Sequence, residues 1–211
     1  MDTGDGTRAG LRERKKQETR IALSWAAIRL TVERGLDNVR VEDIAAEVGV
    51  STRTFSNYFT KKSEAIAARH VDRARAIVDE LRTRPADEPI WDAVIHSVLS
   101  QFALGQDVDA HRVPDEQWLS GVRLMVAEPA LQGEFFRAGA VVEAEFAAVI
   151  AERTGTDVVK DLYPRLMAGA VGVAINLATQ QWLATEPPAR MEPLLRDAFD
   201  QLAAGLPAPT H

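Results

Sequence analysis

Two short stretches with helical apolar spacing meet at Gly49, and few folds accommodate that arrangement. Within residues 41–62 the first stretch carries Ile44, Ala45 and Val48 on one face, and the second carries Phe55, Tyr58 and Phe59. Glycine just past a helix supplies the left-handed stop, because it has no Cβ to clash there. Ser51 follows two residues later, where its hydroxyl caps the next helix. Ala45 is small where two crossing helices approach closely. The pattern predicts a helix-turn-helix, with the second helix shaped for the DNA major groove.

The rest of the chain reads as helices without a convincing strand. A first helix is expected from about Arg12 to Arg34 and stops at Gly35, after a Gly/Asp/Thr-rich stretch, residues 1–10, expected to be a disordered arm. Helices over Glu42–Val48 and Thr52–Phe59 form the motif, and a long helix runs from Ser63 to Arg84, where Pro85 ends it. Further helices are expected near Glu88–Leu104, Asp115–Glu128, Pro129–Thr154, Val158–Thr185 and Arg190–Leu206, with a polar loop over Gly105–Pro114 and a turn at Gly155–Asp157. The fold class is therefore all-α with about nine helices. Residues 1–62 are expected to form a DNA-binding domain, and residues 63–211 a ligand-binding and dimerisation domain.

Charge supports the division. The chain carries a net charge of −6, too negative for a protein that coats nucleic acid indiscriminately. Yet residues 1–62 hold 12 basic and 9 acidic side chains, so the excess of acid lies in the remainder. A mildly basic N-terminal unit on an acidic body suits a DNA reader with a separate domain for another task. The absence of cysteine excludes disulfides and thiolate chemistry and fits an intracellular setting. No apolar run approaches the roughly 20 residues that span a bilayer, and the polar N-terminus has no signal-peptide core, so a cytoplasmic protein is expected with no membrane partner.

Residues 20–66 resemble the tetracycline-repressor (TetR) family of bacterial one-component regulators. The matching residues are Arg20, Ala26-Ala27, Leu30, Glu33-Arg34-Gly35, Val41, Ile44-Ala45, Gly49-Val50-Ser51, Thr54-Phe55, Tyr58-Phe59, Lys62 and Glu64. The whole run is in register, which makes the match specific. Thr31 departs from it, standing where the family usually has a large apolar residue, and Ser56-Asn57 stands where an aromatic–histidine pair is common. Arg53-Thr54-Phe55 resembles an actinobacterial subgroup, some of whose members sense acyl-CoA thioesters. The 20 arginines against 5 lysines suggest a GC-rich genome, in agreement.

Candidate DNA contacts follow. Arg53 can grip guanine O6 and N7 or reach a phosphate. Ser51, Thr52, Thr54, Ser56 and Asn57 add short donors, of which Asn57 suits adenine and the hydroxyls suit phosphate. The resemblance makes Tyr58 a phosphate contact with its ring in the core. Lys62 opens the fourth helix, where ammonium and helix terminus both favour a phosphate. Arg12, Arg14, Lys15 and Lys16 form either an arm along the DNA or a solvated charge run.

Phe102, Trp118, Met125, Phe135, Phe136 and Met167 are candidates to line an apolar pocket between helices, with Arg123 and Asn176 as orienting polar groups; plain core packing is the alternative for each. The four histidines show no metal-ligand spacing, so neither a metal nor a cofactor is expected. Leu166–Leu183 is apolar far round, with Gly169 and Gly172 allowing close approach, so it is buried inside the domain or against another subunit. The resemblance implies a homodimer through the last two helices.

The leading reading is a dimeric repressor, released from a near-palindromic operator in double-stranded DNA by a small effector. An enzyme with an appended DNA-binding unit is the rival, but the chain has no G-x-S-x-G, Gly-rich phosphate loop, H-E-x-x-H or cysteine nucleophile. An architectural DNA binder is a third reading, against which stands the large apolar C-terminal part.

Overall fold

The computed structural model describes residues 5–108, 116–185 and 190–208; side chains are described from residue 10 onward, apart from 103–119 and 121. Nine α-helices occur among the described residues. They are α1 (Asp5–Arg34), α2 (Val41–Val48), α3 (Thr52–Ser56), α4 (Lys62–Thr83), α5 (Ile90–Val108), α6 (Glu116–Ala127), α7 (Pro129–Thr154), α8 (Tyr163–Ala184) and α9 (Met191–Ala203), with a 3-10 turn at Leu36–Asn38. No strand is found among the described residues, and no described helix is long and apolar enough to cross a membrane.

Several boundaries differ from the sequence reading. α1 begins at Asp5 rather than near Arg12. α3 ends at Ser56 rather than Phe59, because the ladder tightens: Asn57 N–H is shared between Arg53 and Thr54 carbonyls, and Tyr58 N–H bonds Phe55 O at 2.9 Å. α8 starts at Tyr163, not Val158. Asp157 Oδ1 accepts the N–H groups of Val159 and Lys160 at 2.9 and 3.0 Å, which folds that stretch into a separate turn. Those two hydrogen bonds also hold the Asp157 carboxyl below its ordinary range. The Gly105–Pro114 loop is partly helical, since α5 reaches Val108, and the remainder lies outside the described residues.

The chain divides into two compact units, Met1–Val71 with Pro114–Phe136, and Asp72–Val113 with Arg137–His211. In the first unit α1 carries Leu23, Ala26, Ala27 and Leu30 inward, against Ile44, Ala45, Phe55, Phe59 and Ile66. Leu131, from the start of α7, is fully buried in that core, and Met125 and Phe135 pack against it. α6 and the first turn of α7 therefore help to build the motif's own core. Buried Ser24 ties α1 to α4 by donating to Ala65 O at 2.6 Å.

In the second unit α8 and α9 pack most extensively, with Met167, Val171, Ala174 and Ala178 buried on α8 and Leu195 and Phe199 on α9. Arg153, near the end of α7, donates to the carbonyls of Arg84 and Pro85 at 2.9 and 2.7 Å and so caps the backbone leaving α4.

Candidate nucleic-acid interface

The turn between α2 and α3 is set by backbone chemistry. Gly49 sits at φ 74°, ψ 30°, the left-handed conformation, and Val50 N–H bonds Ala45 O at 2.9 Å to close it. Ser51 then caps α3: its Oγ accepts Thr54 N–H at 3.1 Å and lies 2.9 Å from Thr54 Oγ1. At the start of α2, Arg40 N–H donates to the Asp43 carboxylate at 2.8 Å. Arg29 of α1 pairs with Glu47 of α2 at the surface.

These constraints aim α3 outward. Phe55 is buried against Phe59, ring centroids 5.7 Å apart, and Arg20 lies over the Phe59 ring. The opposite face presents Ser51, Thr52, Arg53, Ser56 and Asn57, all exposed, while Thr54 and Tyr58 are half-buried. Ser56 Oγ donates back to Thr52 O at 3.1 Å, and Thr54 is tied to Ser51. The side chains of Thr52, Arg53 and Asn57 carry no partner among the described residues, which leaves them available to a base or phosphate.

Lys62 has a role within the fold that its sequence position does not reveal. Its Nζ donates to Leu36 O at 2.5 Å and to Val39 O at 2.8 Å, tying the connection between α1 and α2 to the start of α4. One of three ammonium protons remains for a phosphate. The start of α4 itself is closed by Glu64, whose Oε2 accepts from Thr60 N and Oγ1 at 2.7 and 2.8 Å.

Beside α3 lies a groove of about 350 Å³ lined by Arg12, Lys15, Lys16 and Thr19 of α1 with Asn57 and Tyr58. The sequence signal for its α1 wall is the spacing 12, 15, 16, 19, one stripe of a helix.

The apolar pocket candidates do not gather in one unit. Met125 and Phe135 pack on the core of the first unit, and the Phe135 ring meets His70 edge-on at 5.7 Å. Arg123 is half-buried on α6 of that unit. Phe136 is 81% exposed. Phe102, stacked under the Arg73 guanidinium at 4.8 Å, belongs to the second unit with buried Met167 and exposed Asn176. Trp118 lies on α6 with its side chain outside the described residues. His96 joins Arg84 at Glu88, with Nδ1 2.9 Å from Glu88 Oε1. Among the described residues no group of His, Asp and Glu is arranged to hold a metal.

A capped, outward-facing second helix after a left-handed glycine turn defines a helix-turn-helix DNA-binding unit, carried here by an all-helical protein with a separate C-terminal unit. Residues 25–68 match the bacterial regulatory proteins of the tetR family, and residues 88–207 match the MftR C-terminal domain. The chain belongs to the TetR family: it is a DNA-binding transcriptional regulator rather than an enzyme. Among its relatives is the HTH-type transcriptional regulator TcmR of Streptomyces glaucescens, 28% identical over 173 residues, which are 82% of this chain and 76% of that one. Similar solved structures include the fatty acid degradation regulator FadR of Bacillus halodurans, with TM-score 0.59 and 14% identity over 89% of this chain and 96% of that one. FadR of Thermus thermophilus in complex with lauroyl-CoA has TM-score 0.52 and 18% identity over 91% and 97%. At those identities the likeness is one of fold.

Proposed function

We propose that the protein is a homodimeric repressor that holds a near-palindromic operator and leaves it when a small, largely apolar ligand binds the C-terminal domain. The DNA-binding domain in this reading is residues 1–62, and residues 63–211 serve ligand and dimer. The observation that carries it is the outward face of α3, where Arg53, Thr52 and Asn57 stand free beside a core in which the helix is anchored by Phe55. Two recognition helices on a two-fold axis require two half-sites, spaced by about one turn of DNA or a multiple of it.

Dimerisation through the last two helices is supported by α8. Leu166, Val173 and Leu177 are 63%, 59% and 57% exposed on a helix whose other face is core. Acyl-CoA-like molecules are the first ligand class to test, in line with the Arg53-Thr54-Phe55 wording and with a similarly folded repressor crystallised with lauroyl-CoA.

Selection of bound duplexes from a random-sequence pool tests the reading. Enrichment of an inverted repeat is expected. Arg53→Ala should then cost about 1–3 kcal/mol and relax preference at one position per half-site, whereas Lys62→Ala should weaken all duplexes alike. A pool that yields no enriched sequence would remove the operator-binding reading.

A further inference from the structure

We infer that Glu134, on the first turns of α7, is a positioning residue for DNA recognition: it holds Lys61, in the connection after α3, and through Lys61 the pose in which α3 meets base pairs. The inference rests on the operator-binding reading and adds to it a determinant of sequence preference that touches no DNA.

α3 spans only Thr52–Ser56, well short of the roughly 12 residues below which an isolated helix is marginal in water. Its direction is therefore set by what grips its buried face and its two ends. Phe55 lies in the core beneath it, and the Gly49 turn and Ser51 cap precede it. In the connection that follows, Tyr58 and Phe59 N–H bond to Phe55 O, Glu64 accepts from Thr60, and Lys62 donates to the carbonyls of Leu36 and Val39. Those partners all lie in the motif's own stretch of sequence. Lys61 differs, because its Nζ lies 2.5 Å from Glu134 Oε2.

The far side of that pair is well supported. Glu128 turns the chain sharply between α6 and α7, its carbonyl accepting the N–H groups of Leu131 and Gln132, both at 3.0 Å. Leu131 is thereby set into the motif's core, and Glu134 and Phe135 follow at i+3 and i+4 on the same face. Phe135 packs on that core and meets His70 edge-on. Leu131, Glu134, Phe135 and Lys61 all belong to the first compact unit. The Glu134 side chain is 13% exposed, against 50% for Lys61. A carboxylate so far removed from water requires partners, so Glu134 is the seated member of the pair and the lysine is the one held.

What a held connection changes is discrimination. Attraction to phosphates is largely independent of sequence and tolerates a small tilt, whereas a bidentate contact from Arg53 to a base edge does not. Slack in α3 therefore weakens the preferred duplex and spares one of mixed sequence. Glu145 provides an internal control. It carries the same charge on the same helix, but it stands 3.8 Å from Arg75, and both belong to the second unit.

Affinities for the selected duplex and for one of mixed sequence are measured at a single salt concentration. The proteins are the wild type, Glu134→Gln, Lys61→Gln, K61Q/E134Q and Glu145→Gln. Glu134→Gln should lower the ratio of the two affinities by about 2- to 5-fold, the span expected of a partly exposed ion pair. Lys61→Gln should lower the ratio to a similar extent, and adding Glu134→Gln to it should lower it no further, since the carboxylate acts through the lysine. Glu145→Gln should keep the wild-type ratio. Loss of a negative charge alone gives a different pattern, tighter binding of both duplexes alike. A purely structural role gives a lower melting temperature with the ratio intact. Either of those patterns in Glu134→Gln, or a drop that persists in full in the Lys61→Gln background, would overturn the positioning role while leaving operator binding intact. A wild type that prefers neither duplex would remove both readings together.

Discussion

Thr31 puts a hydroxyl into the core of the DNA-binding unit. It is 3% exposed, and its Oγ1 has no hydrogen-bond partner. Ser24 and Ser97, the other buried polar side chains among the described residues, donate to Ala65 O and Ala93 O instead. Stranding a hydroxyl away from water costs about 1–3 kcal/mol, and a methyl of the same size carries no such penalty. Thr31→Val should thus stabilise the protein by about 1 kcal/mol in urea unfolding, whereas Ser24→Ala should destabilise it by a similar amount. A Thr31→Val protein no more stable than wild type would mean that a water reaches the hydroxyl. The TetR resemblance marks Thr31 as a departure, but only the packing turns that departure into an energetic statement.

Helices bounded by strong start and stop signals are legible from the sequence, and α7, opened by Pro129 and followed by Gly155, matches its expected span of Pro129–Thr154. The failures have local causes. Val158 continues the apolar period toward Leu166, yet the stretch closes on itself as a single turn: Asp157 Oδ1 accepts from Val159 and Lys160 N–H while Asp161 Oδ2 accepts Asp157 N–H, and α8 begins only at Tyr163. Periodicity could not show that Leu131 and α6 belong to the first unit, because that packing joins residues far apart in sequence. The long-range role of Lys62 is hidden for the same reason. A more local arrangement stands just before α5. Glu88 accepts from Arg84 Nε at 2.7 Å and Nη2 at 2.5 Å, and His96 Nδ1 lies 2.9 Å away. The Arg84 hydrogen bonds are the main reason its carboxyl is lowered from 4.5 to about 2, with His96 helping. A carboxylate depressed on folding stabilises the native state above its unfolded pKa, and that contribution disappears as pH falls through the folded value. The stability gap between wild type and Glu88→Gln should therefore hold constant above about pH 5 and shrink toward pH 2. Urea unfolding of both proteins across that window checks it. A gap independent of pH would mean the Arg84–Glu88 pair does not persist in solution.

At the scale of the molecule, the proposed assembly and the proposed switch make separate demands. α8 turns Leu166, Val173 and Leu177 outward, and a Cβ added at Gly172 would meet no atom within 4 Å. Gly172→Arg therefore fits the single chain and should act only on a partner. The wild type is expected to sediment as a dimer at micromolar concentration, and Gly172→Arg should shift it toward monomer with little change in helical content. Regulation asks for more than a dimer. α4 and α7 each supply residues to both compact units, so a ligand held by the C-terminal unit has continuous helices through which to act. Such a ligand changes DNA affinity only if it binds the DNA-incompetent form more tightly; equal affinity for both forms shifts nothing. Coupling of this kind is typically about 1–3 kcal/mol, and linkage makes it reciprocal. Lauroyl-CoA should accordingly weaken the selected duplex by roughly 5- to 150-fold, and the duplex should weaken lauroyl-CoA by the same factor. Calorimetric titrations of lauroyl-CoA into the free protein and into the protein–DNA complex measure both halves of that statement. If the thioester binds with one affinity in both titrations, the C-terminal unit holds it without gating DNA, and acyl-CoA drops out as the effector. If it binds in neither, the ligand belongs to another chemical class, while the dimer and the DNA contacts stand on their own measurements.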